Sequence, residues 1–453
     1  MFARMPTERA AIWSLLAGYL LLPSGLAVDL HLLPPLDKSS VTVLSTLFCC
    51  HAKGGALRRG SVGILLPLLA AAFVLAPVGA SFGNSYELKI GSLSIPGFYL
   101  MDGLKAAINN LIQISAFWIG LRFLSSATGR IETLKALVAG MLVYSLPILV
   151  EVRLSPQIHR WVYGYAPFGF STQYRWQGYR PVVFFPHGLQ LALFVVMALI
   201  AACILSRARI RVFRMPASFA AAYLVPIIVL CKTMGAAVYA IFLAPLALIC
   251  RPSACVKVAM VVMIFVCAYP ALRTQQLVPV ESIVSAANQV SQDRAASFVT
   301  RLTNESLLMA KANEKPVFGW GGWGRNRVYD ADYAKDITIT DGGWIIYFGL
   351  YGWIGYLGLF GMFAMSVANL NASISKFDRR DALVSAGMVL ILTANIADML
   401  PNANLTPFTF VIAGAIARKA VTARKSKQVP AAPRIETAHP QLAQSSSRIG
   451  HGA

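Results

Sequence analysis

The chain has 453 residues, of which 57% are hydrophobic and only 13% charged. Aqueous domains carry roughly 25% charged residues, so a water-soluble globular fold is excluded. The apolar residues fall in long runs rather than the short alternating segments of a β-barrel. The net charge of +21 does not point to nucleic acid, because many Lys and Arg sit in short loops and in the tail. Orientation in a membrane places them there, and there they meet anionic lipid headgroups.

The N-terminus, MFARMPTERAAIWSLLAGYLLL, reads as a first span with basic flanks and no convincing cleavage site, so it is kept as structure. Twelve apolar runs follow one another at 11–28, 36–50, 61–81, 98–121, 132–150, 181–204, 216–231, 234–250, 256–272, 342–367, 381–397 and 405–420. The expected fold is an all-α polytopic transmembrane bundle of about 12 spans. The second, seventh, eighth and ninth runs are short for an upright crossing of about 20 residues, and the second is a candidate for a re-entrant or broken segment. The cysteines at 49, 50, 203, 231, 250, 255 and 267 lie in or beside apolar runs and read as small buried hydrophobes, with no disulfide framework.

Charge tests this count. Lys53, Arg58 and Arg59 share one loop, and Arg122 and Arg130 another. Arg207 to Arg214, Arg251 with Lys257, and Lys376 with Arg379 and Arg380 follow. With twelve spans all of these fall on one face, the cytoplasmic one, together with Arg418 and Lys419. The organisation that results is nine spans over 1–272 with an outer loop at 151–180, then a large outer loop with helices over 273–341. Three spans over 342–420 and a polar, disordered cytoplasmic tail over 421–453 complete it. Arginines in the outer loops have no topogenic reason to be there, which makes a ligand or an ion pair the reason to look for.

The first outer loop is dense in Tyr, Trp and Phe and carries Arg175, Tyr179 and Arg180. Aromatic rings favour the headgroup level and also stack on sugars. His187 lies seven residues beyond Arg180, about 10 Å along a helix at 1.5 Å per residue, if the span opens at Pro181. Ionisable groups at that depth are costly and often functional; snorkelling of Arg180 and helix packing of His187 are the bland alternatives. Lys232 interrupts two apolar runs and either caps a tight turn or faces a phosphate.

In the large outer loop, Arg294 to Ala312 has helical periodicity, and Arg294 and Arg301, seven apart, share one face. Two guanidiniums on one face can grip a diphosphate by bidentate hydrogen bonds; ion pairs with Asp293, Glu305 or Glu281 are the alternative. Lys315-Pro316 ends that helix. GWGGWG then allows positive-φ turns, with Trp320 and Trp323 as sugar-stacking or interfacial rings and Arg325 as a further substrate-binding candidate. Asp341 opens the next run, either as a helix N-cap or as an acceptor beside the arginines that orients a hydroxyl.

Three segments resemble the superfamily of O-antigen ligases and polysaccharide polymerases, membrane glycosyltransferases that use polyprenyl-diphosphate-linked glycans. They are Arg175–Leu189, the helix bearing Arg294 and Arg301 leading into KPVFGWGGWG, and Asp341–Gly355 with its Gly352-Trp-Ile-Gly355 ending. Lipid A–core ligases typically begin the third segment with His-Asn. This chain has Asp341-Gly342, which fits the polymerase side better.

The resemblance implies a GT-C-like bundle in a bacterial inner membrane, with its active site on the periplasmic side. It implies polymerisation of undecaprenyl-diphosphate-linked repeat units into O-antigen or exopolysaccharide. Arg180 and Arg301 would hold the diphosphate, Arg294 would assist, and Asp341 or His187 would orient the acceptor hydroxyl. The partners it implies are the lipid-linked donor and acceptor, membrane lipids, and chain-length regulator and export proteins, with no nucleic acid and no cofactor. The outer face has no Asp, His or Cys cluster with metal-ligand spacing. Two alternatives remain: a ligase attaching finished glycan to lipid A core or protein, and a lipid-glycan transporter or flippase.

Overall fold

A computed structural model describes residues 1–30, 33–54, 62–175, 178–278, 285, 289 and 292–419, with backbone alone for 292–298. The tail expected to be disordered lies outside the described residues. Each apolar run carries a helix. They are α1 (Thr7–Leu21), α2 (Lys38–Ala52), α3 (Leu65–Phe82), α4 (Leu100–Ile119) and α5 (Ala127–Leu154). After a short α6 (Ile158–Tyr163) come α7 (Gly188–Arg207), α8 (Ala217–Leu230), α9 (Met234–Ile249) and α10 (Pro252–Thr274). The large loop supplies α11 (Gln292–Asn313), and α12 (Gly343–Asn371), α13 (Arg379–Asp398) and α14 (Pro407–Ile416) close the chain.

Six of these helices, α3, α5, α7, α10, α12 and α13, are long and apolar enough to cross a membrane. The helices α8, α9 and α14 are apolar but shorter, and α4 carries a polar face. The second run is not broken: α2 is continuous, N-capped by Asp37, whose Oδ1 accepts from Ser40 N at 2.7 Å and from Ser40 Oγ at 2.8 Å. The helices α7 and α13 are buried over nearly their whole length and form the centre. By contrast α3 and α10 are mostly unburied and expose apolar side chains such as Leu68, Leu75, Val261 and Ile264. A helix apolar on its exposed face belongs against lipid rather than water.

Hydrogen bonds sort the loops into two groups, one at each end. In the first, Lys53 Nζ reaches the Met5 carbonyl, Arg207 Nη1 donates to Cys250 O at 2.5 Å, and Asn369 Nδ2 donates to Val62 O at 3.1 Å and Ala417 O at 2.9 Å. Arg130 joins this group through a bidentate pair with Asp381, at 2.7 Å to both oxygens, with side chains only 7% and 13% exposed. In the second group, Lys38 Nζ donates to Phe184 O at 2.7 Å, and Asn84 Nδ2 to Gly319 O at 3.0 Å. There too Gly343 N donates to Asn402 O at 3.0 Å. Two-residue to five-residue antiparallel hairpins decorate the ends, among them β1 (Ala27–Leu30) with β2 (Leu33–Asp37) and β3 (Leu88–Ile90) with β4 (Leu93–Ile95).

The helix α12 is broken at Gly352, with φ 59° and ψ −162°. A break frees backbone groups that lipid cannot satisfy. Here the glycine-rich loop satisfies them: Trp320 N donates to Gly349 O at 2.9 Å and Gly321 N to Leu350 O at 2.8 Å. In return Trp353 N donates to Pro316 O at 2.8 Å and Ile354 N to Val317 O at 3.2 Å. Gly319, at φ 70°, is required on the loop side, because a Cβ there would collide with the Leu350–Tyr351 peptide. A Cβ on Gly352 would lie 2.5 Å from the Val317 carbonyl. Substitution Gly352→Ala therefore combines a strained positive φ with a backbone collision. It is expected to cost about 1–3 kcal/mol and to open residues 316–341 to protease, read by thermal unfolding and limited proteolysis in detergent. Unchanged protease resistance would contradict the docking.

Candidate functional site

The docked loop holds α11 against α10 and α12. Trp320 Nε1 donates to Lys311 O at 2.8 Å, Ile339 N donates to Asn304 Oδ1 at 2.7 Å, and Arg273 Nη2 donates to Ser306 Oγ at 3.2 Å. So held, α11 places Arg301 Nε 3.1 Å from Asp341 Oδ2 and faces Glu305 toward the start of α12, where Trp344 Nε1 donates to Glu305 Oε1 at 3.3 Å. Arg301, Glu305 and Asp341 line a cavity of about 290 Å³ whose other walls, including Tyr269, Ile345 and Leu400, are largely apolar. Asp341 is not the N-cap its position suggests: Gly342 takes that place, which leaves the carboxylate for Arg301.

Arg180 approaches the same region. Its Nε donates to the Lys232 carbonyl at 3.2 Å. Burial, then the charges of Arg175 and Arg301, push its proton affinity down to about 10. The guanidiniums of Arg180 and Arg301 are therefore electrostatic neighbours. Among the described residues, neither Arg175 nor Arg180 has a carboxylate within salt-bridge distance. Lys232 occupies a tight turn between α8 and α9 at φ 49° and packs its amine over Gly178. Arg175 and Tyr179 belong to a small hairpin, Tyr174–Arg175 with Gly178–Tyr179, where Tyr179 packs on Phe170 at 4.6 Å between ring centres.

His187 is not deep in a helix. Residues 181–187 are non-helical, and α7 starts only at Gly188 with His187 as its N-cap, Nδ1 accepting from Leu189 N at 3.1 Å. Glu151 explains the detour: its Oε2 accepts from the N–H groups of Val182 and Val183 at 2.7 and 2.8 Å, which holds them off a helical path. Burial and the charges of Arg180 and Arg175 lower the His187 pKa. With Nδ1 engaged as an acceptor, the neutral ring presents only Nε2–H, a donor rather than a base.

Other candidates serve structure. Trp320 is 3% exposed and its ring lies under Lys311 Nζ at 3.8 Å, so it offers no face to a sugar. Arg325, 2% exposed, donates through Nη1 to Tyr86 O at 3.1 Å and Pro96 O at 2.8 Å and clamps the β3–β4 hairpin to the loop. Trp323 is exposed, with the Arg327 guanidinium 5.4 Å from its ring. The side chain of Arg294 lies outside the described residues, although its backbone is in α11.

Sequence reasoning weighed Glu305 only as an ion-pair partner. It is a lining residue whose carboxyl is raised above its usual range, by burial first and by Asp341 in addition, against the opposing effects of Trp344, Arg273 and Arg301. Its Oε2 stands 3.6 Å from Arg273 Nε and accepts no hydrogen bond. Asp398 was also missed; it accepts from Asn402 at 2.8 Å and Asn404 at 2.7 Å, within electrostatic range of Arg301. The run of Asn and Pro after an apolar helix was the available signal. Among the described residues no group of three or more His, Cys, Asp or Glu is placed to hold a metal. The seven cysteines are free.

No family model, curated protein or solved structure matches the chain. The superfamily resemblance therefore stands on the three segments alone.

Because its neutral form is favoured in the fold, His187 contributes stability that is present above the unfolded value of about 6.5 and is lost as pH falls below it. His187→Asn keeps a capping acceptor and cannot titrate. It is expected to lose less thermal stability than the parent between about pH 7 and 5. Equal losses would contradict the assignment.

Proposed function

We propose that this protein is a glycosyltransferase of a bacterial inner membrane that polymerises undecaprenyl-diphosphate-linked repeat units at the periplasmic face. The shorter helices complete a twelve-crossing bundle around that site. The observation that carries the reading is Arg301, loosely paired with Asp341 at an apolar-walled cavity, with the half-buried Arg180, which has no carboxylate within salt-bridge distance, near enough to feel its charge. Two neighbouring guanidiniums, one without a carboxylate and one loosely paired, next to an apolar wall suit a diphosphate on a lipid chain. Energetics also favour Arg301 as the exchangeable partner. Its pair with Asp341 is 39% exposed on each side, and such pairs contribute roughly 0–1 kcal/mol, so a diphosphate can replace the carboxylate at little cost.

In the proposed reaction the acceptor hydroxyl attacks the donor's anomeric carbon and gives its proton to Glu305. The bond from that carbon to the diphosphate oxygen breaks, and the oxygen keeps the electron pair. Arg180 and Arg301 stabilise the departing charge, and the Nε2–H of His187 is available as a further donor. Asp341, paired with Arg301 at 3.1 Å, orients that guanidinium rather than acting as the base. Glu305, whose carboxyl is raised by burial, suits the base role better.

The experiment is a product-ladder assay with purified protein in vesicles and lipid-linked repeat units. Arg301→Ala and Arg180→Ala should each abolish the ladder or reduce it at least tenfold. Glu305→Gln should lower kcat by about 10²–10⁴ and remove an acidic limb whose midpoint lies above the ordinary Glu value of about 4.3. A normal ladder from Arg301→Ala would overturn the proposal. If single transfer to lipid A core or protein occurs without a ladder, the protein is a ligase instead.

A further inference from the structure

A second cavity, of about 190 Å³, lies between the first turns of α2, the middle of α4, the first turns of α12 and the start of α14. It flanks the same connecting stretch as the first: Leu400 and Pro401 line the charged cavity, and Leu405, Thr406 and Pro407 line this one. Ile345 and Tyr347, two residues apart on α12, divide between them in the same way.

The chemistry of this cleft differs. Its polar lining comes from Asp37, Ser39, Ser40, Asn109, Gln113 and Thr406, with no Arg or Lys. The adjacent Lys38 turns away, donating to Phe184 O at 2.7 Å and Ser24 Oγ at 3.4 Å. Asn109 and Gln113 are four apart on α4, so about 6 Å along one face at 1.5 Å per residue. Neither their carboxamides nor the Ser39 hydroxyl is hydrogen-bonded to a described residue. The second carboxylate oxygen of Asp37 is also without a bond, since Oδ1 takes both Ser40 contacts. Asp37 is exposed and Ser39, Asn109 and Gln113 are half-buried, so their free groups are open to a ligand that enters the cleft. The unmatched set here contains donors and acceptors in comparable number and no cation.

We propose that this cleft is a carbohydrate subsite that takes one neutral sugar ring of the lipid-linked substrate, while the arginine cavity takes the diphosphate. It rests on the transferase reading for the substrate's identity and adds where the sugar sits. An anion is disfavoured for want of a cation in the wall. A polyol supplies the paired donors and acceptors that carboxamides, hydroxyls and a carboxylate require, and the volume equals that of about six waters at ~30 Å³ each.

The test is thermal unfolding of the full-length protein in nanodiscs with separate probes. These are glucose, galactose, N-acetylglucosamine and rhamnose up to 100 mM, as a probe range, then inorganic pyrophosphate, then sodium chloride against choline chloride. At least one sugar should raise the Tm of the parent by about 2 °C in a saturable manner. Asn109→Leu/Gln113→Leu, and Ser39→Val as a milder second variant, should abolish or weaken that shift. Pyrophosphate should stabilise these variants as it does the parent, which also certifies their folding, and should fail with Arg301→Ala and with Arg180→Ala. A shift that survives in the double variant, no shift with any of the sugars, or a sodium-specific shift lost in the double variant would each overturn the subsite. Loss of pyrophosphate binding in the parent would overturn the diphosphate reading instead and leave the sugar arm readable by itself.

Discussion

The arrangement of this protein depends on one interrupted helix. Once α12 breaks at Gly352, carbonyls at Gly349 and Leu350 and amides at Trp353 and Ile354 need partners inside an apolar bundle. A single stretch, Pro316 to Gly321, supplies all four. Hydrocarbon leaves no alternative partner, so the exchange fixes where the large loop enters and leaves the bundle. Everything that makes the charged cavity follows: α11 ends just before the docked stretch, Trp320 pins it, and Arg301 meets Asp341 one residue before the α12 cap.

Charge is used in two ways. Arg130 and Asp381, nearly buried and bidentate, join α5 to α13 at one end; breaking such a pair strands an ion and costs about 3–5 kcal/mol. At the other end Arg301 is partly exposed and loosely paired, and Arg180 is without a carboxylate within salt-bridge distance. The first arrangement is suited to holding helices together. The second is poorly suited to that and well suited to an exchangeable anion. Glu305 stands between the two regimes, since Arg273 is near enough to attract it but too far to bond it well.

Much of the helical order was legible because apolar runs and basic loops are governed by composition, which the sequence displays directly. Where the runs are shorter, as in α8, α9 and α14, or amphipathic, as in α4, length and composition no longer establish a crossing. Arg301 and Arg180 were legible as cations with no topogenic reason, and Asp341 as either a helix N-cap or an acceptor beside them. Arg325 and Trp320 misled for the opposite reason: the same residue types that bind sugars and phosphates also clamp loops, and only burial separates the two uses. The depth assigned to His187 failed because a carboxylate far away in sequence, Glu151, holds Val182 and Val183 out of the helix. The role of Glu305 depends on neighbours from α10 and α12, so no local pattern could reveal it. The positive φ of Gly352 was equally hidden, although the Gly-Trp-Ile-Gly stretch itself was noted.

The central claim is that Arg180 and Arg301 share one lipid diphosphate. An electron cryo-microscopy structure of the protein in nanodiscs with undecaprenyl diphosphate tests it most directly. The expected result is diphosphate density bridging the two guanidiniums at hydrogen-bond distance, with the Asp341 carboxylate displaced from Arg301 and the prenyl chain leaving along the apolar wall near Ile345 and Leu400. Density for the headgroup elsewhere, with Arg301 still paired to Asp341, would contradict the account.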